Sequence, residues 1–262
     1  MRERTSRRRD RVHGVDVASV VHGDDPDRAP GLDVVMVHGL GVSNRYPAPS
    51  SRRLARHHRV FAPDLPGVGR SSRTGQDLSM TQLADGLRDW MDVVGVGLAV
   101  VVGHSLGCQV VVQLAARHPD RVVAVVLACP APDPSRGPWW QQAWRLLVDG
   151  FGERPAMLLV AATDYPRVGL GRMLRSLRVA ARRRDQPNLG AIDQRTLVVR
   201  GGRDPLVSAG WARSLAEDFP DARLVTLPDA PHGLPCSAPE PFVEAIRTFV
   251  DELDSPPGLR DR

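Results

Sequence analysis

The sequence predicts an α/β fold, with a mostly parallel central sheet, helices on both faces and an inserted helical cap. Three observations carry this. Short β-branched apolar runs alternate with stretches of helical periodicity, the pattern of strand–helix repeats. Residues 131–190 interrupt the alternation with helical patterns and no strand pattern. The chain has 262 residues, 42% of them hydrophobic, enough for one large core or one core with an inserted subdomain.

The elements follow in order. Val34-Val35-Met36-Val37 is a continuous apolar run, as a strand covered on both faces should be. Arg59-Val60-Phe61-Ala62 is the next. Thr81 to Val94 reads as a helix, because Leu83, Leu87, Trp90 and Val94 recur at helical spacing and Thr81 can cap it. Leu98 to Val102 is a strand, and Ser105 to His118 a helix stopped by Pro119. Val122 to Leu127 and Thr196 to Arg200 are strands on either side of the break. Ser208 to Phe219 is a helix, Arg223 to Leu227 a strand, and Pro239 to Leu253 a closing helix.

The break opens with Pro130, Pro132, Pro134 and Pro138 and closes near Pro187-Asn188-Leu189-Gly190. Within it, Leu170, Leu174, Leu177 and Ala181 fall on one helical face, and Arg175, Arg178 and Arg182 on another. The segment is expected to be a helical cap whose arginines are either solvated or turned toward anionic substrates.

Composition bounds the rest. No apolar run approaches the ~18 residues a membrane span needs, so a soluble protein is expected, with no membrane partner. Three cysteines, Cys108, Cys129 and Cys236, with no CxxC argue against a disulfide framework or a structural metal site and for a reducing, cytoplasmic setting. Residues 1–11 carry six arginines against two acids, with no apolar stretch beyond them, so neither a secretory nor a twin-arginine signal is read. A basic disordered tail is expected there, and the folded domain over 12–262. The net charge of +5 is concentrated in that tail and in residues 131–190, and the chain contains no lysine. With no recognition motif present, the arginines reflect composition, and no nucleic-acid partner is expected.

The chemistry centres on Gly103-His104-Ser105-Leu106-Gly107, a G-x-S-x-G string between a predicted strand and a predicted helix. A serine on that tight turn projects above the sheet edge, and only small neighbours leave room for it. A serine hydroxyl needs a base. Of eight histidines, His13, His22, His57, His58 and His118 sit in the N-terminal segment, before a strand or at a helix end. His104 lies inside the turn and is poorly aimed as a base, and His38 directly follows the first strand. His232 follows the last predicted strand and so reaches the same sheet edge as Ser105. The base in turn needs a buried acceptor. Asp204 leaves the strand 196–200 through Gly-Gly-Arg-Asp-Pro; Asp133, after the strand 122–127, is the rival. The order Ser105, Asp204, His232 is the one this fold uses.

Together with His38-Gly39-Leu40-Gly41, Asp64-Leu65-Pro66-Gly67-Val68-Gly69-Arg70-Ser71 and Pro231-His232-Gly233, these motifs resemble the α/β-hydrolase superfamily from about residue 12 to 253. The resemblance implies an α/β-hydrolase fold with an eight-stranded sheet, a cap over the site and a Ser105–His232–Asp204 triad. It also implies an oxyanion hole made by the backbone N–H groups of Leu40 and Leu106. Haloalkane dehalogenases and epoxide hydrolases carry Asp where this chain has Ser105.

The expected activity is hydrolysis of a small or medium ester, thioester or lactone, with a small-molecule substrate and no cofactor or metal. His38, Asn44 and His104 are the candidate substrate contacts. The alternatives are a carbon–carbon bond hydrolase of the ring-cleavage type, in which Asn44 would hold a substrate carboxylate, and a catalytically silent binding protein of the same fold.

Overall fold

The protein is described by a computed structural model that covers residues 4–24, 31–75, 77–138, 140–142, 144–145, 155–169, 171, 173–176 and 186–253. Eight strands form one sheet: β1 (Thr5–Val12), β2 (Val15–His22), β3 (Asp33–Val37), β4 (Val60–Pro63), β5 (Ala99–His104), β6 (Val122–Ala128), β7 (Arg195–Gly201) and β8 (Ala222–Leu227). Their order is β1-β2-β4-β3-β5-β6-β7-β8. β1 and β2 run antiparallel, as do β2 and β4; the pairs from β4/β3 to β7/β8 are parallel.

The helices are α1 (Ala48–Leu54), α2 (Met80–Val94), α3 (Gly107–Arg117), α4 (Pro155–Val168), α5 (Ala209–Glu217), α6 (Leu234–Ser237) and α7 (Pro239–Asp251). All six residues of β5 are buried, which requires cover on both faces of the sheet. α2 packs against α3, and α1 against α7. Trp90 of α2 meets Phe61 of β4 edge-on, with ring centroids 6.2 Å apart. Each ring is almost fully buried, and such burial is worth about 1.5–3 kcal/mol per large side chain.

Three expectations are corrected. The basic N-terminal segment is not a disordered tail along its length, because Thr5–Val12 is β1, in register with β2 from Thr5↔His22 to Val12↔Val15. Its side chains are mostly exposed, so it carries no apolar signal, and its backbone pairing alone places it at the sheet edge. Arginines along an edge strand also oppose pairing with another chain. α2 begins one residue earlier than expected and is capped by Ser79, not Thr81. Ser79 Oγ accepts from Gln82 N–H, while Gln82 accepts from Ser79 N–H, a reciprocal capping box. α3 begins at Gly107, because Ser105 has φ 53° and belongs to the turn.

Between β6 and β7 the described residues contain no strand, and α4 is the longest helix among them. Of the two predicted cap faces, Leu174 and Arg175 are described; Leu170, Leu177, Ala181, Arg178 and Arg182 lie outside the described residues. No helix among the described residues is long and apolar enough to cross a membrane.

Candidate active site

Ser105 opens the turn after β5, Asp204 follows β7 and His232 follows β8. Because these strands are parallel and adjacent through β6, their carboxyl ends deliver all three side chains to one edge of the sheet. His232 Nε2 lies 3.0 Å from Ser105 Oγ. His232 Nδ1 lies 2.8 Å from Asp204 Oδ2. Asp204 Oδ1 accepts the N–H groups of Leu206 (2.7 Å) and Val207 (3.1 Å). Burial alone would raise the Asp204 pKa, but the His232 charge and hydrogen bond, the Cys129 thiol and the Leu206 N–H outweigh it and hold it at about 2. An ionised Asp204 accepts the proton on Nδ1, which leaves the Nε2 lone pair facing the Ser105 hydroxyl.

The turn itself explains the two glycines. A Cβ on Gly103 would lie 2.6 Å from Gly107 O, and one on Gly107 would lie 2.6 Å from both Val37 O and His38 O. Any side chain there would push α3 off the sheet edge or off the loop after β3. That loop runs directly over the serine: a Cβ on Gly39 would be 3.2 Å from Ser105 Cβ. The N–H groups of Leu40 and Leu106 have no hydrogen-bond acceptor among the described residues. Both residues line one apolar pocket, together with Leu65, Val68, Leu83 and Val110. Asp77 and Ser176 are polar members of its wall, and Asp77 is 2.5 Å from Arg175 Nε on the cap. A second apolar pocket, between α3 and α5, is lined by Val112, Trp211 and Leu215. Neither lining includes Ser105, Asp204 or His232, and the first pocket comes nearest to the serine through its chain neighbours Leu106 and Gly107.

The other predicted contacts divide. His38 lines the pocket, but its ring is engaged with the chain: Nδ1 donates to Gly39 O (2.8 Å) and Nε2 accepts Leu65 N–H (3.0 Å). That pattern is a neutral imidazole, and burial lowers its pKa in agreement. His104 is set behind His232, away from both pockets. Its Nε2 donates to His232 O (3.0 Å), and its ring stacks on Tyr46 at 5.1 Å. Burial, and then the His232 charge, push its pKa down to about 3. Asn44 is buried, gives its N–H to Asp64 Oδ1 (2.7 Å) and does not line the pocket. Asp133, the rival acid, caps local structure: Oδ2 accepts Ser208 N–H (2.8 Å) and Oδ1 accepts Ser135 N–H and Oγ–H.

Sequence reasoning missed the residues that hold the site from behind. Asp64 ties the loop after β4 to the loop after β3. Asp164, on α4, accepts Ser43 N–H (3.0 Å) and so ties α4 to the same loop. Cys129 lies against Asp204. Asp64 sits in a motif the sequence displays, whereas Asp164 and Cys129 carry no local signal.

Known proteins resemble this chain in sequence and in fold. Residues 34–163 match a family described as alpha/beta hydrolase fold, and residues 175–258 one described as TAP-like protein. A "Putative carbamate hydrolase RutD" from Caulobacter sp. (strain K31) is 30% identical over 83% of this chain and 90% of its own length. The chain belongs to the α/β-hydrolase superfamily. A pimeloyl-[acyl-carrier protein] methyl ester esterase from Chromobacterium violaceum is 31% identical over 84% of this chain and 95% of its own. Among solved structures, a thermophilic esterase from Thermogutta terrifontis superposes with a TM-score of 0.77 over 95% of this chain and all of its own, at 21% identity. The chain is an enzyme of the α/β-hydrolase superfamily.

Proposed function

We propose that this hydrolase cleaves a small or medium carboxylic ester, thioester or lactone through an acyl-enzyme on Ser105. The observation that carries the reading is the continuous relay from Ser105 Oγ through His232 to Asp204, at 3.0 and 2.8 Å. Ser105 Oγ attacks the substrate carbonyl as His232 Nε2 takes its proton. The leaving alcohol or thiol departs with that proton. Water then enters, loses a proton to His232 and releases the acid from Ser105. Asp204 keeps the proton on Nδ1 and stabilises the imidazolium in each half-reaction. The Leu40 and Leu106 N–H groups receive the oxyanion, each donor being worth about 10²–10³ in rate. No step calls for a cofactor.

The pocket narrows the substrate class. Its wall beside Leu40 and Leu106 is largely apolar, no arginine is among its described lining residues, and Arg175 is paired with Asp77 of that wall. An uncharged, apolar acyl group suits that wall better than an anionic one. Relatives named as a carbamate hydrolase and a methyl ester esterase both act, by those names, at a carbonyl carbon, which supports the reading. The carbon–carbon alternative assigned Asn44 to a substrate carboxylate, and the placement of Asn44 outside the pocket lining gives that assignment no support.

A panel of p-nitrophenyl esters of increasing chain length tests the proposal, beside a ring-cleavage dienoate followed by absorbance. Turnover of the neutral esters, with none of the dienoate, is expected. Turnover of the dienoate alone would refute the ester reading.

A further inference from the structure

Cys129 is the first residue after β6, and no part of it is exposed. It is one of three non-glycine residues with positive φ among the described residues, at 49°, a conformation that residues with a Cβ adopt at a cost. Its N–H donates to Val199 O on β7 at 2.8 Å, which fixes that backbone beside the strand that delivers Asp204. The result is a tight cluster: the Cys129 sulfur, an Asp204 oxygen and His232 Nδ1 all lie within 4.8 Å of one another. Burial first, and then the Asp204 charge, push the thiol pKa well up, so the thiol stays protonated and can only donate to the ionised carboxylate.

Asp204 is held by three hydrogen-bond donors, the Leu206 and Val207 N–H groups and His232 Nδ1–H, with the Cys129 sulfur within 4.8 Å of one of its oxygens. We propose that Cys129 is a positioning residue for the acid of the site, its S–H holding the Asp204 carboxylate in the plane that meets His232 and drawing off part of its negative charge. The proposal rests on the Ser105–His232–Asp204 reading above. It also explains why a residue with a side chain occupies a left-handed position where glycine would cost less.

The titratable groups facing this cluster are His104 across the His232 ring, Cys108 beside Cys129, and His38 on the loop after β3. Burial keeps both histidines neutral and the Cys108 thiol protonated. Arg203, next to Asp204 in sequence, pairs with exposed Asp229. Neither histidine therefore adds a charge beside His232.

Removing the thiol concentrates charge on Asp204, which favours the imidazolium. In Cys129→Ala the His232 titration, followed by NMR of the ring, should move to higher pH. Cys129→Ser restores a donor and should bring it back toward wild type. In parallel, kcat on the best ester should fall roughly three- to tenfold with KM unchanged, as loss of one hydrogen bond from a weak thiol donor implies. A role in packing alone would lower the melting temperature, leave the titration in place and make Cys129→Ser behave like Cys129→Ala; that outcome overturns the proposal. The infrared S–H stretch of the wild-type protein, assigned by its loss in Cys129→Ser, needs no alanine variant to fold. It should lie below that of Cys108, whose thiol meets only the carbonyls of Gly103 and Ala128. A Cys129 stretch at or above that of Cys108 also overturns it. Neither spectroscopic readout depends on substrate, so failure here and failure of the ester reading are separable.

Discussion

Asp204→Asn is the substitution whose effect the hydrogen bonds define most sharply. Asp204 Oδ1 faces two backbone donors, Leu206 N–H and Val207 N–H, and Oδ2 faces His232 Nδ1. An asparagine has one oxygen to offer. Turning its NH₂ toward the two N–H groups would leave two buried donors unpaired, at about 1–3 kcal/mol each. The amide oxygen therefore takes the Oδ1 place, and the NH₂ confronts Nδ1. Two donors cannot share that contact, so the histidine proton moves to Nε2. In that tautomer His232 has no lone pair for the Ser105 proton. Regaining the working tautomer costs about 2–6 kcal/mol by the same count, or roughly 30-fold to 10⁴-fold in rate. Loss of the carboxylate beneath the imidazolium pushes the effect toward the upper end; the same exchange in an unrelated serine protease costs about 10⁴ in kcat. The assay is kcat on a p-nitrophenyl ester, with Asp133→Asn as the comparison. Asp133 caps the turn at Ser135 and the start of α5 through Ser208 N–H, so its amide should lower the melting temperature and leave kcat nearly unchanged. An Asp204→Asn enzyme that keeps more than about a tenth of its kcat, or an equal loss in Asp133→Asn, would refute the reasoning.

Two further outcomes follow from the same site. Buried His104 has its pKa lowered to about 3, whereas in the unfolded chain it binds a proton near pH 6.5. The unfolded state therefore takes up the proton first, and stability is lost as pH falls below about 6.5, by about 2 kcal/mol at pH 5 from this residue. Denaturant unfolding at pH 7.5 and pH 5 should show that loss in wild type and a smaller one in His104→Gln; equal losses would mean the ring is protonated in the fold. At the pocket wall, Asp77→Asn releases Arg175 from its ion pair. It should raise kcat/KM for a carboxylate-bearing ester relative to a neutral one of equal length, with the gain fading in high salt. No change at low salt would place Arg175 too far from the bound substrate to act.

How much of this was legible in the sequence depended on where the signal lay. Ser105, Asp204 and His232 could be placed together because each follows a predicted strand, and parallel strands deliver such residues to one edge. The choice of Asp204 over Asp133 rested on the turn that leaves β7, and the structure gives Asp204 to His232 and Asp133 to Ser208. His104 and Asn44 were singled out for their place in motifs, but sequence position says nothing about which way a side chain turns. His104 turns back under His232, and Asn44 is held by its backbone. β1 was hidden because its exposed arginines have the composition of a solvated tail, and only pairing with β2 makes them a strand. The two-residue connection His13–Gly14 was the signal available. Cys129 and Asp164 act through partners 75 and 121 residues away in the chain, counted to Asp204 and Ser43, and no local pattern reports contacts of that range.

The central claim is that Ser105 is a nucleophile activated by His232, and covalent labelling tests it most directly. A fluorophosphonate probe should modify the wild-type protein on Ser105, located by peptide mass spectrometry, with a rate that falls as His232 is protonated. Ser105→Ala should fold with an unchanged melting temperature to within a degree or so, since it removes one hydroxyl at the surface of the turn, and should take up no label. Modification of another serine in the wild type, or equal labelling of Ser105→Ala, would contradict the account.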